Sequence, residues 1–253
     1  MKYRNMRGEK KKCLNCGNEV TDNYCGICGQ SVHTSRITLL HLVEELQYGL
    51  LHINKGLLYT VKELLVRPGN TMKNYLAGKR VKYMKPFLFL IVWGLIYSIV
   101  FHFFRFFPMK EMNNPGNEVL GYIPLYDLYS AHYSLAVLVT LPFFALSTYF
   151  LFYKSGYNYT EHLVIFSYIN GAKTVILLLF YPLICFTKSA EIYHIVHILA
   201  SIYVIWGLSQ FFKSSSWLKV VGKVLLSFVF TYILLVIIIT VVFEVFKFYN
   251  IQL

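Results

Sequence analysis

Charge is what this chain has least of. Of its 253 residues 14% are Asp, Glu, Lys or Arg, against roughly 25% in soluble domains, while 57% are hydrophobic. That excludes an ordinary soluble domain and predicts an integral membrane protein. The opening MKYRNMRGEKKKC is basic but lacks the apolar core and small-residue cleavage site of a secretory signal, so the N-terminus is expected to stay inside. Also missing are a nucleophile elbow, an H-E-x-x-H helix, a triad spacing and a nucleotide fingerprint. GNTMKNYLAGKR is no phosphate loop either, because its glycine spacing is wrong and no Ser or Thr follows Gly78-Lys79. Catalysis is therefore the less expected role.

Acids are scarcer than bases, 12 against 24, for a net charge of +12. The excess is uneven: residues 1–85 hold 15 Lys and Arg against 6 Asp and Glu. In a membrane protein such a head is explained by positive-inside orientation and attraction to anionic headgroups. No nucleic-acid recognition motif accompanies it, so nucleic acid is not an expected partner.

Cysteine is rare as well, at 5 residues, yet four of them fall within CLNCGNEVTDNYCGICGQ, residues 13–30. Cys13 and Cys16 form one C-x-x-C pair, Cys25 and Cys28 another, and Gly17 and Gly29 follow them. Each pair reads as a knuckle whose trailing Gly tolerates the positive φ that turns backbone N–H groups toward sulfur. Four thiolates in a closed tetrahedron predict structural Zn²⁺, with iron in a rubredoxin-like site as the competing ion. Disulfides are disfavoured by a reducing cytoplasm, and catalytic zinc by the lack of an open coordination position. The spacer GNEVTDNY is expected to form a minimal hairpin turning at Thr21, Asp22 and Asn23.

Residues 37–85 read as an amphipathic helical connector and a basic juxtamembrane segment, preceded by a basic tail, 1–12, and the ribbon, 13–30. Leu39, Val43, Leu46, Leu50, Ile53, Leu57, Thr60 and Leu64 follow the spacing of one helix face, with Glu44, Glu45, Lys62 and Glu63 off it. Asn54, Lys55 and Gly56 mark a break between two shorter helices. The stripe has three possible courses: on the bilayer surface, on the transmembrane bundle, or against a second copy. Pro68 ends the segment, and Asn70 or Thr71 is positioned to cap a further short helix through Leu76. Arg67, Lys73, Lys79, Arg80, Lys82 and Lys85 are read as a lipid-headgroup cluster, since no acid interrupts them.

Residues 86–248 are the predicted transmembrane domain. Five stretches are long enough to span at about 20 residues each: 86–107, 131–153, 162–186, 191–212 and 220–243. The predicted fold is thus an all-α, five-helix membrane bundle with a small N-terminal Cys₄ ribbon and an amphipathic connector. An odd count puts the C-terminus outside. Loop charges agree: 213–223 carries Lys213, Lys219 and Lys223 without an acid, whereas 108–130 sets Lys110 against Glu111, Glu118 and Asp127. With 21 Tyr and 21 Phe, aromatic belts are expected at both interfaces.

Polar residues at depth mark candidate sites. Lys173, beside Asn170, falls near the middle of the third span, where a charge costs about 2.5–3.5 kcal/mol and no carboxylate lies at matching depth. His102, His132, His194 and His197 all fall toward the predicted outer side, with Cys185. His194 and His197 share a helix face and would ligate one ion together with His102 or His132 if the helices brought them together. Thr160 reads as an N-cap, Glu161 as a first-turn acid, and Glu161–His162 as a possible functional pair.

The motifs taken together resemble the bacterial membrane family called domain of unknown function 3667, met chiefly in Bacteroidetes. The matching residues are Cys13, Cys16, Cys25, Cys28, Gly29 and Gln30, then Arg67, Pro68 and Gly69, then Tyr75, Leu76, Gly78, Lys79, Arg80, Tyr83 and Pro86. The resemblance implies a multi-pass protein of the bacterial inner membrane and ties Gln30 to the GKR run as one functional unit. It implies no activity. The expected function is a non-enzymatic docking or regulatory platform with a protein partner or self-association through the head. The alternatives are a transporter or channel component using Lys173, and a membrane enzyme acting on lipid or a redox carrier through Lys173, Glu161 and the histidines.

Overall fold

In hydrocarbon every backbone N–H and C=O needs an internal partner, so apolar runs of spanning length become helices. The computed structural model describes residues 11–34, 36–40, 56–104, 132–212 and 216–248, apart from the side chains of 190 and 242–248. The order is β1 (Lys11–Lys12), β2 (Glu19–Val20), α1 (Leu57–Val66), α2 (Pro68–Leu76), α3 (Pro86–Phe104), α4 (Tyr133–Leu151), a 3₁₀ turn (Tyr153–Ser155), α5 (Tyr159–Thr187), α6 (Ala190–Phe211) and α7 (Trp217–Phe248). The last five helices are long and apolar enough to cross a membrane. Readings that fall on the basic tail 1–10, on connector residues 41–55, on the loop 105–131 and on Lys213 lie outside the described residues.

α5 is the hub. Within its most apolar window 67% is buried, against 17% for α7, and it packs against α3, α4 and α6. Gly171 permits the close approach of α3, because a Cβ there would meet Phe89 Cδ1 at 2.5 Å, and Gly207 permits that of α6, where a Cβ would meet Ile169 Cδ1 at 2.4 Å. The cap of α5 lies two residues before the expected one. Asn158, not Thr160, is the N-cap: its side chain accepts from the Glu161 N–H at 2.7 Å while Glu161 Oε2 accepts from the Asn158 N–H at 2.8 Å. Thr160 is buried one position into the helix and contributes no cap. The Asn-x-x-Glu capping box outcompetes it because it satisfies two orphan donors reciprocally.

The described part of the connector lies on the bundle. α1 starts after Gly56, at the expected break, and buries Thr60 and Leu64. Thr60 Oγ1 donates to Gly56 O and accepts from the Met84 N–H at 2.8 Å; Tyr168 Oη donates to Met84 O at 2.6 Å, and Tyr203 Oη to Leu64 O at 3.0 Å. Glu63 departs from the expected pattern, being buried rather than on a solvated face. It is affordable there because Arg67 binds it through two contacts, Nε–Oε2 2.7 Å and Nη2–Oε1 2.8 Å.

That hydrogen bond from Arg67 holds the Glu63 carboxyl below its ordinary value of 4.5. A depressed carboxylate contributes stability that is complete above the unfolded pKa and is lost as pH falls through the folded one. Thermal stability of the wild type should therefore decline as pH drops below about 4.5, by up to about 1 kcal/mol because Arg67 is largely solvated, and the Glu63→Gln protein should lack this component.

Candidate metal centre and its seat on the bundle

The two knuckles are local copies of one turn. Gly17 N–H donates to Cys13 O and Gly29 N–H to Cys25 O, both at 2.8 Å; Cys13 N–H donates to Asn18 O and Cys25 N–H to Gln30 O, again at 2.8 Å. Gly17 and Gly29 take φ of 79° and 73°, the left-handed conformation expected of them. The hairpin differs from expectation. Its paired strands, Lys11↔Val20 and Lys12↔Glu19, enclose the first knuckle, and the bridge Tyr24↔Ser31 encloses the second. Asp22 and Asn23 form only a bend between them, since each metal knuckle is already the reversal of its own hairpin.

The four Sγ atoms lie within 4.8 Å of one another and are free thiols. Cys13 and Cys28 stand 3.6 Å apart and Cys16 and Cys25 3.5 Å. A tetrahedral ion with M–S of about 2.3 Å spaces its sulfurs by roughly 3.8 Å, so the donor set fits a four-thiolate metal ion. Cys16 is held down to about 6, first by the Asn18 backbone N–H and then by the Asn18 side-chain amide, whose Nδ2 donates to Cys16 Sγ at 3.3 Å. Both interactions favour the thiolate, the form that binds metal.

The ribbon is fastened to the bundle at two points. Gln30 places Nε2 on Gly78 O at 2.7 Å and accepts from the Arg80 N–H at 3.2 Å, closing both hydrogen-bonding edges of the turn after α2. That turn needs Gly78, whose φ is 98° and whose missing Cβ would lie 2.8 Å from Leu14 Cδ1. At the second point Arg36 grips Glu161 with Nε–Oε1 at 2.9 Å and Nη2–Oε2 at 2.7 Å, and Nη2 also donates to Gly156 O. Ile37, 2% exposed, enters the main core beside it, where its carbonyl accepts from Asn158 Nδ2. Glu161 and His162 bond to different partners. Glu161 turns out to Arg36, while His162 is fully buried with Nδ1 on Thr148 Oγ1 at 3.0 Å and its ring stacked on Phe212.

The juxtamembrane cations fall into two sets. Arg67 pairs with Glu63; Lys73 Nζ donates to Gln210 O and lies over the Phe211 ring; Arg80 lies over the Tyr75 ring and donates from Nε to Tyr75 O. Tyr75 is itself buried edge-on against Tyr168 at 5.2 Å. Lys79 and Lys82 are exposed, and Lys85 is half-buried.

Within the membrane domain, Lys173 and Asn170 line a cavity of about 260 Å³ between α4, α5, α6 and α7, together with Thr140 and Ser201. His102 and His132 line a separate, mostly apolar cavity of about 380 Å³ between α3 and α4. His194 and His197 pack on Tyr193, on α6. Among the described residues the four cysteines are the one group of three or more His, Cys, Asp or Glu placed to hold a metal, so His102, His132, His194 and His197 do not assemble the expected external site. Their helices place them in two groups, and α6 meets α5 rather than the α3–α4 face.

Four cysteines placed to hold a metal ion, on a ribbon seated on five membrane-length helices, define a multi-pass membrane protein with an N-terminal candidate metal site. Residues 54–98 match the family described as Protein of unknown function (DUF3667), consistent with a member of that family and with the resemblance carried by the motifs. No curated protein and no solved structure matches the chain. The matched stretch holds R-P-G and the Gly78–Arg80 turn, the surface on which Gln30 sits.

Proposed function

We propose that the chain is a non-catalytic protein of the bacterial inner membrane whose zinc-loaded ribbon and basic head form a cytoplasmic docking platform on the helical bundle. The observation that carries this reading is the Gln30 clamp on Gly78 and Arg80, which fixes the ribbon to the membrane domain instead of leaving it tethered by a free linker. A fixed ribbon presents a constant face. Tyr24 and Ile27 of the ribbon are large apolar side chains 65% and 73% exposed. Zinc is the ion proposed because a closed set of four thiolates is its usual structural site. The lysines at the ribbon end, Lys79 and Lys82 among them, favour a cytoplasmic placement with anionic lipid against the head.

A second reading rests on the Lys173 cavity. Asn170 Nδ2 donates to Phe166 O, Thr140 Oγ1 to Val137 O and Ser201 Oγ to His197 O, so the amide and hydroxyl oxygens remain as acceptors around one ammonium. That set suits a transported or bound small ion.

The two readings separate in one experiment: affinity purification from cross-linked intact cells, with growth rescue of a deletion strain as a parallel readout. Ile27→Glu should keep its metal and lose the cross-linked partners and rescue, while Lys173→Met should behave as wild type. The reverse outcome, silent Ile27→Glu and inactive but well-inserted Lys173→Met, would transfer the function to the cavity.

A further inference from the structure

One basic feature of the fold is displayed by no single sequence segment. A cavity of about 460 Å³ at the ribbon end of the bundle is lined by Lys73 from α2, Lys154 from the 3₁₀ turn, and Lys219 and Lys223 from the first turns of α7. Among the described residues no Asp or Glu lines it. The nearby Glu161 is already held by Arg36.

We infer that this cavity is a binding site for a phosphate group carrying two or more negative charges, either the headgroup of a lipid or a soluble phosphorylated compound.

Three observations carry the inference beyond a general inside-positive surface. The lysines arrive from three separate segments and line one concavity, which concentrates positive potential where an anion would bind. The cavity has a rigid aromatic floor: Phe152 stacks on Phe212 at 4.0 Å between centroids, and Tyr157 tilts on Phe211 at 4.9 Å. Lys223 is steered by that floor, with Nζ on Leu151 O at 2.8 Å and 5.2 Å from the Phe152 centroid, and Lys73 lies over Phe211. An ammonium has three donors, and the Leu151 carbonyl occupies one of Lys223's. The remaining N–H groups supply charge-assisted bonds to phosphate oxygens. The volume lies within the usual range of small-ligand pockets, about 300–1,000 Å³, so the site takes a phosphate with the group that bears it. Its position, at the end of five membrane-length helices, opens it to both lipid and solvent-borne ligands.

The test uses full-length protein in nanodiscs. One arm compares phosphatidylcholine discs with discs containing phosphatidic acid and counts bound phosphatidic acid by native mass spectrometry. The other titrates pyrophosphate into phosphatidylcholine discs and reads the thermal shift. The variant is Lys154→Gln/Lys219→Gln; the charge-matched control is Lys12→Gln/Lys62→Gln, two exposed lysines of the head away from the cavity. Saturable binding in either arm that weakens at least about tenfold in the cavity variant and stays unchanged in the control supports the site and names its source. Equal weakening in both variants, or no binding in either arm, overturns it. A separate circular-dichroism melt of each apo variant shows that binding is read on folded protein.

Discussion

A Cys13→Ser/Cys16→Ser protein should reach the membrane with its helical bundle intact, carry no bound metal, and expose the segment 11–34 to protease. The ribbon's own core is very small: Cys13, Val20 and Cys25 buried, with Cys28 and Val32 packed against them. Three of those five side chains are the metal ligands themselves. A module with so little apolar surface does not fold on burial alone, and metal binding, with an apparent free energy of about 10–16 kcal/mol in zinc-finger peptides, would supply its folding energy. The bundle has a separate core centred on α5, so its helicity should be unchanged. Metal analysis by mass spectrometry, protease mapping and circular dichroism check each part. A variant that retains metal and resists protease in 11–34 would refute the assignment of the four cysteines.

Gly69→Ala should lower the melting temperature by roughly 5–15 °C, a loss of about 2–4 kcal/mol, without touching the metal site. Gly69 is the last residue of the R-P-G step and sits against α6. A Cβ there would meet Gln210 Cβ at 2.5 Å, Gln210 C at 2.7 Å and Phe211 N at 2.8 Å. Two of these are backbone atoms of a helix and cannot swing aside, and Gly69 N–H donates to Gln210 Oε1 at 3.3 Å. The whole of α2 must therefore move, taking the seat of Gln30 with it. The neighbouring Asn70→Ala, on an exposed position, should leave the melt nearly unchanged. Similar melts for the two variants would show that R-P-G is not a packing step.

These expectations show where the sequence was informative. The knuckles and the five spans were legible because each is local: a C-x-x-C-G repeat fixes its own turn, and an apolar run of spanning length has one way to satisfy its backbone. Gln30 carried a signal too, in its place after the second knuckle, although the residues it bonds are 48 and 50 positions away. The Arg36–Glu161 pair, separated by 125 residues, left no such trace. The hairpin was misplaced because turn-forming residues at Thr21–Asn23 were more visible than the reversals already built into the knuckles. Lys154, Lys219 and Lys223 were counted only as loop charge or not at all, since convergence of three segments is a property of packing.

R-P-G and Y-L-x-G-K-R also change meaning in three dimensions. In the sequence they are a run of cations before a membrane span. In the fold Arg67 stabilises a buried acid, Gly69 admits α6, Tyr75 packs on the central helix, and Gly78 makes the left-handed turn that receives Gln30. Most of that segment is thus a socket, with Lys79 and Lys82 left exposed.

The most direct test of a metal-held ribbon seated in that socket is hydrogen exchange at the Arg80 amide, measured on the full chain in nanodiscs before and after chelation. The Arg80 N–H donates to Gln30 Oε1, so unfolding the ribbon should speed its exchange, and Gln30→Ala should do the same with metal present, while α5 amides keep their protection. An Arg80 amide that exchanges at the same rate with and without metal, and in the Gln30→Ala protein, would mean that the ribbon is not clamped to the bundle and that the platform does not exist.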